Sequence, residues 1–264
     1  MTERFPPDKT REMPPSERPE PSISIREVIE ALSVENVHET YSGRVEVTDL
    51  KEQLETEGHI FIIRGDRAYS DKEDQDLGVA NPKFWLYENL LQTPRIQEAL
   101  HDHPEHKLFD GVGFSALEAL RYHARKLNRK AVVVMSSGVV IGDHLRDPNI
   151  EIIQAEGPAE EGYVAEQARV LSQRHDIIPL HQALYGARAL APVGNKVVKI
   201  IRESGIQPDA TFWTIASGSN VLGIGGKIKE AFPDVETVVV EPDINKTIDP
   251  SLDLLDSTAV KSFA

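Results

Sequence analysis

Residues 211–242 read TFWTIASGSNVLGIGGKIKEAFPDVETVVVEP, and this stretch decides the fold. Its pattern predicts an apolar strand at 211–215, a helix at about 221–231 and a second apolar strand at 236–240. Strand, helix and strand in this order are typical of a parallel β-α-β unit, in which the helix crosses one face of the sheet.

The same alternation precedes this stretch. It predicts a helix at 115–127 followed by a strand at 131–135, and a strand at 150–153 followed by a helix near 161–173. Ser115 and Glu118 have capping-box spacing at the start of the first of these helices. We therefore expect an α/β protein with an open, mostly parallel sheet that helices cover on both faces.

The composition divides the chain into three regions. Residues 1–22 are rich in proline and charge, which predicts a disordered tail. Residues 23–82 predict a small α+β N-terminal region, because short helical and strand patterns alternate there. The polar stretch that ends at Asn81-Pro82 marks a boundary, so residues 83–264 are expected to form the α/β core.

Within the N-terminal region, the pattern predicts a short helix at about 49–56 and a strand at 60–63. The Arg-Gly-Asp sequence at 64–66 follows this strand, and we interpret it as a hairpin turn. An adhesion signal is the alternative, but the first residues do not resemble an export signal.

The bulk properties bound the possible partners and location. With 43 acidic and 29 basic residues, the formal net charge is −14, which disfavours nucleic acid and anionic membranes as partners. The sequence has no cysteine, which excludes disulfides and thiolate metal sites. No apolar run approaches the roughly 20 residues of a membrane span. These features predict a cytoplasmic protein.

Two turns of small residues follow predicted strands, where ligands bind in open α/β sheets. Their hydroxyl, amide and backbone N–H groups give the candidate binding residues Ser136, Ser137, Gly138, Ser217, Gly218, Ser219 and Asn220. The second turn precedes a helix, whose positive N-terminal end suits a phosphate. The alternative is that the glycines of this segment, Gly223, Gly225 and Gly226, only permit close helix packing.

These motifs resemble those of the fold-type II pyridoxal-phosphate enzymes, which include cysteine synthase, threonine synthase and the tryptophan synthase β subunit. In that family a G-T-G-G-T-x-x-G segment holds the cofactor phosphate and is followed by a helix, a proline and a strand ending in V-E-P. The same order is found here in ASGSN, Gly223, Phe232-Pro233 and VVVEP. Upstream, similar motifs are QTPRI, VVVMSSG and IIPLHQALYGARAL, so the resemblance covers roughly 90–242. It implies a tryptophan synthase β-like fold.

The resemblance does not extend to the catalytic lysine. The family motif N-P-T-G-S-x-K-D-R supplies a lysine that forms a Schiff base with the cofactor and moves the substrate proton. Aligning SSG without a gap places this lysine at Gly113, and a small slip places it at Ala116. Neither residue carries the amine that this chemistry needs. Lys107, the nearest lysine upstream, lies outside the turn.

Three further departures from the family's pattern also argue against the family's catalysis. Val139 stands where the family has an asparagine that contacts the cofactor ring. Residues 139–149 replace most of the family's small mobile domain, which is therefore expected to be reduced. The family's partner for the pyridine nitrogen lies well beyond V-E-P, where this sequence runs only to Ala264.

Our leading hypothesis from the sequence is a non-catalytic relative, or pseudoenzyme, that acts as a binding, regulatory or partner subunit. Such a subunit would form a homodimer or join an active family member, and it could hold a phosphate or another small anion. The alternative is a pyridoxal-phosphate-dependent lyase or synthase of amino-acid metabolism with a non-standard or partner-supplied lysine. A third possibility is that the N-terminal 82 residues carry the function. An amine in the cleft would favour the alternative.

Two histidine-containing segments need interpretation. His101, His103, Glu105 and His106 are zinc-like in residue type, but they lie close together on a polar segment with a proline, so we predict a solvated loop without a metal. His181 stands at the family's N-Q-F motif, which makes it a cleft residue by resemblance but not an assigned base.

Overall fold

The strands in the described part of the chain form two sheets and a separate hairpin. The computed structural model describes residues 41, 43–68, 81–136, 146–156, 159–214, 217–242 and 260–263, with the backbone alone at 159–161, 241–242 and 260–263. These residues belong to one compact unit, Asn36–Ala264. The predicted tail at 1–22 and the residues Ser137, Gly138 and Val139 lie outside the described residues.

The first sheet has four strands, and all neighbouring strands are parallel. Its members are β3 (Lys107–Gly111), β4 (Ala131–Met135), β5 (Ile150–Gln154) and β6 (Ile177–Pro179), in the spatial order β5-β4-β3-β6. Strand β4 is buried throughout because it lies inside the sheet and is apolar at every position.

The second sheet has three strands and is mixed. Strands β7 (Ala210–Thr214) and β8 (Glu236–Pro242) are parallel, and β9 (Val260–Phe263) pairs antiparallel with β8. The predicted mostly parallel α/β architecture is confirmed, but its strands are divided between two sheets instead of one.

Within the described residues, six α-helices connect or precede these strands: α1 (Pro82–Leu91), α2 (Pro94–Asp102), α3 (Phe114–Lys126), α4 (Ala159–Gln173), α5 (Gln182–Ser204) and α6 (Gly226–Ala231). Helix α6 continues directly from a π-helical turn, Val221–Gly225. No helix in the described ranges is long and apolar enough to cross a membrane. The cytoplasmic location stays a prediction.

Among the described helices, α1 has no exposed residue. It packs against both α3 and α5. Trp85, Leu86, Tyr87 and Leu90 are fully buried, so the helix has no wide polar face. For this reason its sequence lacks the alternation by which amphipathic helices are predicted.

The N-terminal hairpin differs from its prediction. Strands β1 (Val47–Asp49) and β2 (Phe61–Ile63) are antiparallel, so the loop between them, and not 64–66, makes the hairpin turn. The predicted helix at 49–56 is wrong, because that segment ends β1 and forms turns. Gly65–Arg67 is a single 3-10 turn.

The predicted capping box is also wrong. Helix α3 begins at Phe114, and its N-cap is Gly113, which makes no side-chain capping bond. Ser115 already lies inside the first turn, so its hydroxyl cannot act as the N-cap acceptor. The helix at 115–127 itself is confirmed with a shift of one residue at each end.

Glycines allow the π-helical turn to lie directly on α5. A Cβ at Gly223 would stand 2.5 Å from the Ala187 carbonyl oxygen and 2.7 Å from the Leu190 Cβ. On the opposite side, a Cβ at Gly194 would stand 2.9 Å from the Gly223 carbonyl oxygen. Close packing therefore accounts for Gly223, whereas a Cβ at Gly226 would meet nothing within 4 Å.

We predict opposite effects for Gly223→Ala and Gly226→Ala. The first should lower the free energy of unfolding by about 1–3 kcal/mol, because the added methyl meets backbone that cannot move aside. The second should leave it unchanged or raise it by up to about 1 kcal/mol, since alanine favours helix. Urea denaturation of both variants tests this, and equal stabilities would contradict the close crossing.

Candidate functional site

The N-terminus of α1 brings a lysine amine to the loop after β7. Asn81 is the N-cap, and its Oδ1 accepts a hydrogen bond from the Lys83 backbone N–H at 2.9 Å. The Lys83 Nζ donates to Gln182 Oε1 at 2.7 Å and to Ser217 Oγ at 3.2 Å. We call Lys83, Gln182, Ser217 and Ser219 the Lys83 cluster.

The loop at 217–220 packs against α5. The Ser217 and Ser219 hydroxyls hydrogen-bond at 2.9 Å, and Gly218 between them has the left-handed φ of 74° that favours glycine. Ser219 is buried, and a Cβ at Gly186 on α5 would overlap its hydroxyl. Within the described residues, the Asn220 Oδ1 atom is buried without a hydrogen-bond partner.

A buried carboxylate lies beside this cluster. Asp110, near the end of β3, accepts hydrogen bonds from the Tyr87 hydroxyl at 3.0 Å and from the Gly111 N–H at 2.8 Å. The Gln182 N–H lies 3.3 Å from each carboxylate oxygen. Burial raises the pKa of Asp110 to about 7, although these hydrogen bonds and Lys83 favour the charged form.

Gln182 connects the carboxylate to the lysine. Its Nε2 donates to the Gly111 carbonyl at 3.2 Å, which directs its Oε1 toward the Lys83 Nζ. Burial lowers the pKa of Lys83, and the charge of Asp110 partly opposes this. More of the amine is therefore neutral near neutral pH, and the neutral amine is the nucleophilic form.

Helix α4 packs against β3 beside Asp110. A Cβ at Gly111 would overlap the Tyr163 hydroxyl and the Gln167 side chain, so β3 ends in a glycine where α4 approaches. Burial, together with the Asp110 charge, raises the pKa of Tyr163 to about 12. Tyr163 therefore stays protonated.

The other predicted turn lies at the end of β4. Ser136 follows Met135 directly and is half-buried. Its position at the carboxyl edge of the first sheet agrees with the predicted place, but a binding role for Ser136, Ser137 and Gly138 stays a prediction. Gly113 is exposed and has open space around its Cα.

The leading hypothesis from the sequence has no amine at this site, whereas the structure places the Lys83 amine there. Lys83 is the first residue of the predicted α/β core, directly after the boundary that ends at Asn81-Pro82, while Lys107 pairs with Asp176 at 3.0 Å. Asparagine followed by proline is a usual helix start and could have predicted α1. A lysine in the first turn opposes the helix dipole and is therefore a signal of function.

The histidine-rich segment does not join this site. His103, Glu105 and His106 have ligand atoms within 4.8 Å of one another. However, the His103 and His106 rings are stacked at 4.3 Å with an interplanar angle of 8°, so one ion cannot lie in both ring planes. We assign no metal to it.

His181 precedes the cluster residue Gln182. It has a left-handed φ of 53° and serves as the N-cap residue of α5 without a side-chain capping bond. Its ring packs near Tyr185, and burial lowers its pKa, with Arg95 acting in the same direction. The structure thus places His181 next to the cluster residue Gln182, whereas the Lys83 amine donates to Gln182 and Ser217.

Comparisons with known proteins identify the fold. No protein-family model and no curated protein matches the chain. Among solved structures, Escherichia coli diaminopropionate ammonia lyase aligns with a TM-score of 0.59 and 13% identity, over 78% of this chain and 61% of that one. Entamoeba histolytica cysteine synthase gives 0.52 and 16%, over 74% and 56%. A hydrogen sulfide-producing enzyme from Fusobacterium nucleatum gives 0.50 and 14%, over 67% and 52%.

This chain has the fold of the fold-type II pyridoxal-phosphate enzymes. The fold implied by the resemblance in sequence is therefore confirmed. The fold-type II similarity is partial in length, because the chain spans between 52% and 61% of these solved structures. At these identities the similarity concerns the fold, and activity has to be argued from the site.

We predict that Asp110 makes stability depend on pH. Its pKa of about 7 in the fold exceeds the value of about 3.9 for an exposed aspartate. Folding therefore binds a proton between these values, and stability falls as the pH rises from about 4 to about 7. Relative to Asp110→Asn, the native chain should lose on the order of 4 kcal/mol across this range.

Urea denaturation of both proteins between about pH 4 and pH 8 measures this difference. The contributions of all other carboxylates cancel in the comparison. Parallel stability curves would show that Asp110 has an ordinary pKa in the fold.

Proposed function

We propose that the chain binds pyridoxal phosphate at the Lys83 cluster and acts as a lyase or synthase on amino acids. The observation that carries this proposal is the position of the Lys83 Nζ, 3.2 Å from the Ser217 hydroxyl in the predicted phosphate loop. The fold supports it, since the neighbours include a diaminopropionate ammonia lyase and a cysteine synthase.

The residues present fit this cofactor chemically. An aldehyde needs a neutral amine, and burial lowers the pKa of Lys83 toward that form. A phosphate needs donors, and the loop offers the Ser217 and Ser219 hydroxyls beside the start of a helical segment. The Lys83 amine contacts the loop directly. One small molecule that carries both an aldehyde and a phosphate can therefore reach the amine and the loop together.

Each side chain then has a distinct role. When bound, pyridoxal phosphate withdraws electrons from the carbon that carries the substrate amino group. Lys83 would hold the cofactor through its Nζ, and the same amine would hold or move a proton of the substrate. Gln182 orients the amine through its Oε1, and the loop hydroxyls hold the phosphate.

A non-catalytic binding, regulatory or partner subunit is the second proposal. The observation that favours it is the absence of an amine at Gly113, where the resemblance in sequence places the family's lysine. Such a subunit could retain phosphate or another anion at the loop without covalent attachment to Lys83.

We also propose that the chain works as a homodimer or with an active family member. In sedimentation analysis the purified chain should form a dimer, or it should co-purify with a longer family enzyme from its host. A chain that stays monomeric at all concentrations and brings down no relative would exclude both arrangements.

Covalent attachment provides the main test of function. Pyridoxal phosphate added to the purified chain should give the visible absorbance of the lysine-bound cofactor. Borohydride reduction followed by peptide mass analysis should then locate the modification on Lys83. Lys83→Arg should abolish both signals, because arginine keeps the charge but does not attack the aldehyde.

Lys199→Arg is the matched control. Lys199 is exposed and pairs with Glu203 on α5, so its replacement should leave absorbance and labelling intact. Modification spread over exposed lysines, with Lys83 unmodified, would contradict the proposal. Stabilisation by phosphate without any covalent product would instead favour the non-catalytic subunit.

A further inference from the structure

We propose that Asp110 is a positioning residue for Lys83: through Gln182 it fixes the direction of the amine, and its charge decides how readily the amine loses a proton. This role concerns catalysis only in so far as the proposed function holds. The electrostatic relation itself does not depend on any bound cofactor.

The first step is geometric. Asp110 accepts from the N–H of Gly111 and from the N–H of Gln182. The Gly111 carbonyl in turn accepts a hydrogen bond from the Gln182 Nε2. The Gln182 Oε1 accepts one from the Lys83 Nζ. Asp110 thus holds both residues that determine where the acceptor of Lys83 points.

The second step concerns charge. The groups that face Asp110 are Tyr87 and Lys83 from α1, Tyr163 from α4, and Gln182 from α5. Lys83 is the cation among them, and no described residue forms a direct ion pair with Asp110. A buried carboxylate without an ion pair lowers stability, so stability does not explain its presence.

The third step joins the two titrations. Ionised Asp110 favours protonated Lys83, and neutral Asp110 favours the neutral, nucleophilic amine. Since Gln182 contacts both groups and the charge of each acts on the other, the protonation of Asp110 influences that of Lys83. Replacing the carboxylate by an amide should free the amine from this coupling.

The experiment measures the titration of Lys83 without cofactor. Competitive acetylation with acetic anhydride across a pH series, read by peptide mass spectrometry, gives the midpoint of Lys83 reactivity. Asp110→Asn should move this midpoint down by about one pH unit. At a fixed pH below the native midpoint, labelling of Lys83 should therefore rise about tenfold.

A second variant covers the case in which Asp110→Asn does not fold. Tyr87→Phe removes one hydrogen bond to the carboxylate, so Asp110 is neutral over a wider pH range. The Lys83 midpoint should then move in the same direction by a smaller amount.

Glu151→Gln is the control. Glu151 is an exposed carboxylate 3.9 Å from the Lys107 amine, so its replacement should leave the labelling midpoint of Lys83 unchanged. Identical Lys83 midpoints in the native chain, Asp110→Asn and Tyr87→Phe would overturn the inference. Shifted midpoints without a covalent pyridoxal phosphate product would uphold it and reject the proposed function.

Discussion

The buried carboxylate of Asp110 is the point at which β3, α1 and α5 meet. A carboxylate removed from water needs hydrogen bonds, and here a tyrosine hydroxyl from α1 and two backbone N–H groups provide them. These donors reach the carboxylate only if the three elements approach closely. The placement of Lys83, one helical turn before Tyr87, follows from that approach.

The strands and helices with strong local patterns were predictable. Strand β4 is uniformly apolar, and α3 repeats its apolar residues at helical spacing, so both are encoded within a few residues. Strand β3 was missed because Asp110 and Gly111 resemble a turn, although both are buried. Helix α1 was missed because it is buried on nearly all sides.

The site was predictable only in part. The loop at 217–220 was found from its small residues and its place after a strand. Its amine was not, since Lys83 and Ser217 are 134 residues apart in sequence. The resemblance at residues 136–138 implied a lysine at Gly113, the N-cap of α3. The fold instead brings the Lys83 amine from α1 to the loop at 217–220. Local motifs do not contain that information.

The crossing of α5 and the π-helical turn has a consequence for how a ligand would be received. Gly186 and Gly223 bring the loop and its helix against α5 at backbone distance, so the loop conformation is settled when the helices pack. The hydrogen-bond donors of the loop are therefore ordered before a ligand binds, and binding does not include the entropic cost of ordering them. Such a preorganised loop favours fast capture over adaptation, which suits a site that recognises one chemical group rather than many.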